Sequence, residues 1–165
     1  MKNYLLPFTL SLLIGISASY QVTAEEHDDH HGNTSLSMTL DQGKKWPIDD
    51  SLHKGMTEIR ALMITNLADI HQNKFTKQQY SRLANTLQTH LNYLFENCAL
   101  PTAADAQLHI LLSGLMQGVF QMNTGSERQQ GSILSEKQQG SILVVQALQN
   151  YSAYFSDPHW NDFTH

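Results

Sequence analysis

The chain reads as all-α: an up-down-up-down four-helix bundle after a cleaved signal peptide and a disordered, His/acid-rich arm. Three observations predict it. Four segments beyond residue 48 place apolar residues at three- and four-residue steps, the period of a half-buried helix. The breaks between the first three segments are short, which makes consecutive helices antiparallel neighbours. No segment alternates in the two-residue period that a strand requires.

The first 24 residues combine Lys2, an apolar run "YLLPFTLSLLIGISAS" too short to span a bilayer comfortably, and small residues in "VTA". That pattern predicts signal cleavage after Ala24 and export to the periplasm or medium, with no membrane insertion afterwards. No cysteine stands at that junction, so a lipid anchor there is not expected. Lys2 leaves with the segment, so nine basic residues face fifteen acidic ones, a net charge of −6 on 141 residues. Nucleic acid and anionic lipid both need clustered Lys and Arg, so neither is an expected partner. Cys98 is the only cysteine. It is a buried thiol, a metal ligand or a link between chains, and no internal disulfide can form.

Residues 25–47, "EEHDDHHGNTSLSMTLDQGKKWP", hold a block of charge and few apolar residues, which predicts a disordered arm becoming an extended lead-in near Trp46-Pro47. The bundle is expected over 48–165. Its first helix starts at Asp49 or Asp50, either able to cap it, and its stripe is Leu52, Met56, Ile59, Met63 and Ile70, widened by Leu62 and Leu67. "TKQQ" is a capping box for the second helix, whose stripe runs Tyr80, Leu83, Leu87, His90, Leu94. Pro101 and Thr102 open the third, with "TAAD" as a weaker box and Leu108, Leu112, Leu115, Val119 and Met122 as its stripe. His109 and Met116 lie one position around, within a broad buried face. Gly114 and Gly118 predict a close neighbour, since glycine otherwise weakens a helix. The fourth helix is expected over about 138–156, with Val144, Leu148, Tyr151 and Phe155 inward and Trp160 folded back.

Between the third and fourth helices, "SERQQGSIL" (126–134) is followed by "SEKQQGSIL" (135–143). Nine residues turn a helix by about 900°, so the copies would present Ile and Leu on opposite faces. The second copy therefore starts helix four, and the first extends the loop.

Antiparallel helices rise about 1.5 Å per residue on either side of a turn, so residues equidistant from a turn share a level. Met56 and His90 are equidistant from Asn73, and His90 and His109 from a point between Ala99 and Leu100. Tyr151 falls near the same level on the fourth helix. Met56, His90 and His109 are thus a candidate metal layer, with Asp105 placed to orient the His109 ring and Tyr151 beside it. Two imidazoles and a thioether suit copper, above all Cu(I). The plainer alternative is an ordinary core in which His90 bonds Tyr151 and His109 bonds Asp105. Methionine and histidine in a bundle also hold haem b in cytochromes, although Leu87, Leu94 and Leu112 crowd that space and no CxxCH is present. A second candidate lies in the arm. After cleavage the chain would begin Glu25-Glu26-His27, where the free amine, two amide nitrogens and an imidazole can wrap square-planar Cu(II), with His30 and His31 nearby.

The runs "GKKWPIDDSLHKGMTEIR", "CALPTAADAQLH" and "YSAYFSDPHW" resemble small exported helical-bundle proteins of Gram-negative bacteria over most of residues 43–160. The nine-residue duplication departs from that pattern. The resemblance implies a periplasmic bundle and carries no chemistry. The shared layer and the third-position histidine make metal binding the expected function, with copper stored, buffered or transferred. The alternative is a cofactor-free structural module or one that binds a protein partner. No nucleophile–base pair or paired carboxylates share a level, so an enzyme is not expected.

Overall fold

A computed structural model describes residues 37–126 and 135–161. The expected signal peptide, Glu25, Glu26, His27, His30 and His31, and all but Ser126 of the first repeat copy lie outside the described residues. Four helices form: α1 Asp50–His71, α2 Lys77–Asn97, α3 Thr102–Thr124 and α4 Glu136–Tyr154. They pack into an all-α bundle, each on the next, with α1 also touching α4. Among the described residues there is no strand, only isolated bridges Asp41–Lys44 and Trp46–Phe155.

The helix ends show how antiparallel packing is set. Asp49 caps α1 by accepting Leu52 N–H at 2.7 Å, and its second oxygen accepts Ala99 N–H, just past α2, at 2.7 Å. One carboxylate thus ties the start of α1 to the end of α2. Thr76 and Gln79 form the expected capping box on α2. The box expected at Thr102 does not form. Pro101 is the N-cap and no side chain caps α3, because Thr102 is already helical and its hydroxyl no longer sits outside the first turn.

The stripes of α1, α3 and α4 are buried as their spacing predicts. On α2 one position differs. Leu91, not His90, takes the core seat between Leu87 and Leu94, and His90 lies at the seam's edge with 22% of its side chain exposed. Positions 90 and 91 flank the seam almost equally at 100° per residue, and the apolar side chain gains more from burial.

The second repeat copy does more than start α4. Ser135 and Gln138 make a full capping box, so the helix begins at Glu136, ahead of the expected 138, and ends at Tyr154. Lys137 is 1% exposed, and its ammonium donates to Met122 O at 2.8 Å and Asn123 O at 2.9 Å. It satisfies carbonyls of the last turn of α3 and places positive charge at that helix's negative end. Gln138 donates to Ile70 O and to Asn73 Oδ1 at the α1–α2 turn, so the start of α4 meets the end of α1. Just beyond, a Cβ on Gly140 would lie 2.6 Å from Gly118 O, and one on Gly118 the same distance from Gly140 O. The α3 and α4 backbones are therefore in contact there. Gly118 thus has the close neighbour its sequence position suggested, and Gly114, with only Ala147 Cβ at 4.0 Å, does not.

Lys137→Met keeps most of the volume and leaves two carbonyls without this donor. It is expected to cost about 2 kcal/mol of unfolding free energy in a denaturant titration. A loss below about 0.5 kcal/mol would mean that water replaces the ammonium at those carbonyls.

At the opposite end the lead-in and the tail clasp each other. Trp46 N–H donates to Tyr154 O, and Ser156 N–H donates to Trp46 O, both at 2.8 Å. Thr39 N–H donates to Gln107 Oε1 at 2.8 Å, which holds the lead-in on α3.

Candidate functional site

The residues proposed as one metal layer occupy separate surroundings. Met56 is fully buried in the core. His90 Nδ1 lies 2.8 Å from Glu58 Oε2 on α1. Glu58 also accepts from Lys54 at 2.8 Å, and the Lys54 ammonium sits 4.4 Å from the centre of the Tyr93 ring. The hydrogen bond from Lys54 holds the Glu58 carboxyl below its ordinary range; burial opposes this, and the charges of Lys54 and His90 add to it. His109 is 59% exposed, where a position within the buried face was expected. Its Nδ1 lies 2.9 Å from Asp105 O and 3.4 Å from Asp105 Oδ2, and its ring meets the edge of Phe95 at 6.2 Å. Asp105 does stand beside His109 as the four-residue spacing suggested. No hydrogen bond or ring contact joins His90 to His109.

Tyr151, expected near this layer, faces a cluster that the sequence did not single out. Past the end of α4, Asp157 turns back into the bundle with its side chain only 1% exposed. Its Oδ2 accepts from the Tyr151 hydroxyl at 2.8 Å and faces His53 Nδ1 at 2.8 Å, and its Oδ1 accepts His159 N–H at 3.0 Å. A carboxylate only accepts, so Nδ1 of His53 carries the proton and the ring's other nitrogen is directed away from Asp157. The His159 ring stands edge-on to His53 at 5.8 Å, and Trp160 packs edge-on to Tyr151 at 4.7 Å. Burial would raise the Asp157 pKa, but the bonds from His53, Tyr151 and the His159 backbone bring it below the ordinary carboxylate value. Burial pushes the Tyr151 hydroxyl far up, and Asp157 pushes it further, so it stays protonated. In chemical terms this is an oriented Asp–His pair beside a protonated phenol, and through His53 it anchors the tail to α1. The sequence signal was "SDPHW": an acid directly before a helix-stopping proline, which can point inward rather than to solvent.

Cys98 is half-buried at the end of α2. Burial, with Asp49 and Asp105 nearby, pushes its thiol up to about 12, so it packs as a neutral group. Among the described residues no group of three or more His, Cys, Asp or Glu side chains is placed to hold a metal ion. Leu87, Leu94 and Leu112 are all buried in the core. No helix among the described residues is long and apolar enough to cross a membrane.

Fold and side-chain placement together define a helical bundle whose lead-in at Trp46 and tail at Tyr154–Ser156 are bonded to each other at one end. No family model, curated protein or solved structure matches this chain.

Proposed function

We propose that the protein is an exported metal-binding bundle that handles copper, and that Cu(II) is taken first by the arm, at Glu25-Glu26-His27. The observation that carries this is the third-position histidine behind a small-residue cleavage site. Among the described residues no group of three or more His, Cys, Asp or Glu side chains gathers around one point, whereas the arm's amine, amides and imidazole follow one another along the chain. The arm joins the bundle through Thr39, bonded to α3, so a bound ion would stay tethered to a stable body.

The test starts from the mature chain with its N-terminus verified by mass spectrometry. Cu(II) titration should give one tight equivalent with the visible band of a square-planar nitrogen site. His27→Ala, or one extra residue ahead of Glu25, should abolish it and leave thermal unfolding unchanged. An unchanged band in His27→Ala would overturn the proposal. The bundle layer has its own readout. If Met56 and His90 hold Cu(I), the ion raises the unfolding midpoint of the wild type and not of His90→Ala.

A further inference from the structure

The charges of this bundle are unevenly shared. Asp50, Lys54, Glu58, Arg60 and Asp69 lie on α1, and Lys77, Arg82 and Glu96 on α2. Between residues 106 and 126 there is no Asp, Glu, Lys or Arg, and between 138 and 156 there is none either. Almost all of α3 and α4 is therefore uncharged, on the outward side as well as in the core. That outward side also exposes large apolar groups: Phe120 is 66% exposed, Met116 45% and Ile142 40%. Between the two helices runs a groove of about 270 Å³ in which Gln117, Gln121, Gln139 and Gln146 surround Ile142 and Leu143.

We propose that this α3–α4 face is the interface of a symmetric dimer of the chain. Depletion of charge with exposed aromatic and methionine side chains is the composition of an interface core. The charge argues for a second copy. Each chain carries a formal charge of −5, so two copies repel wherever charged faces meet. The α3–α4 face is free of that cost. A two-fold axis sets a surface against itself, and glutamine suits this because its amide both donates and accepts. The area is adequate. At 1.5 Å per residue the helices are roughly 30 Å long, and two side by side about 20 Å wide, so about 600 Å² per copy is covered. That is the low end of specific interfaces, consistent with a dimer in the micromolar range.

Sedimentation equilibrium of the purified protein over roughly 1–200 µM, concentrations that bracket a micromolar Kd, tests this. The wild type should fit a monomer–dimer equilibrium. Phe120→Glu and Ile142→Lys, each placing like charges across the axis, should weaken it at least a hundredfold. Both side chains are exposed, so thermal unfolding at low concentration should be unchanged and a folding defect is distinguishable. Ile64→Glu, at an equally exposed apolar residue on α1, should leave the dimer intact. A wild type that stays monomeric throughout, as it would if this face served a different protein, overturns the proposal. So does a Phe120→Glu variant that dimerises like the wild type, or an Ile64→Glu variant that does not dimerise.

Discussion

Asp157→Ala is expected to lower the unfolding free energy by about 3 kcal/mol, because it removes the acceptor for a buried hydroxyl and for a partly buried imidazole together. Tyr151 is 0% exposed, and the Asp157 carboxylate is the acceptor for its hydroxyl. The loss should spread to the strap, so Trp160 fluorescence is expected to change as its packing on Tyr151 loosens. Asp157→Asn keeps the shape and separates charge from volume. The Asp157 pKa lies below its ordinary value in the folded protein. Its charge therefore contributes stability that is complete above the unfolded pKa and is lost as pH falls through the lower folded one. The difference between wild type and Asp157→Asn should shrink as pH falls below about 4. A difference that grows below that pH would refute this account of the carboxylate.

The second large effect concerns two glycines on one helix. Gly118→Ala should destabilise by about 1–3 kcal/mol, since the new methyl would sit 2.6 Å from Gly140 O and 2.8 Å from Val144 Cγ2. The first of these is backbone, so the helices must move apart to admit it. Gly114→Ala should stabilise by up to about 1 kcal/mol, because alanine favours the helix and only ordinary contact with Ala147 results. Opposite signs for one substitution four residues apart, read from thermal unfolding of both variants, are the expected result. Equal effects would show that the α3–α4 contact yields at little cost.

The candidate layer shows what level arithmetic on a sequence leaves out. Cα atoms equidistant from a turn do share a height, but each side chain leans toward the N-terminus of its own helix. On antiparallel helices those leans are opposite. His90 leans away from the α2–α3 turn and finds Glu58, whereas His109 leans toward the turn and meets Phe95 and Asp105. His109 also lies one helical step outside its stripe, which leaves it largely exposed. Equal height of two Cα atoms on antiparallel helices therefore does not bring their side-chain tips together.

Period and capping chemistry are local, and by themselves they determined the four helices, nearly all of their inward stripes, the Thr76 cap, a cap at Asp49 or Asp50, and the start of α4 in the second repeat copy. Each depends on neighbours within about four residues, which is the range a linear pattern encodes. Tertiary structure alone decided which of His90 and Leu91 enters the core, that Lys137 closes α3, that Gly118 meets Gly140, and that Asp157 joins His53 across 104 positions. Those outcomes are competitions for space and hydrogen-bond partners between segments far apart in the chain. They are settled only when the helices pack, because burial is what makes an unpaired polar group or a one-methyl misfit costly.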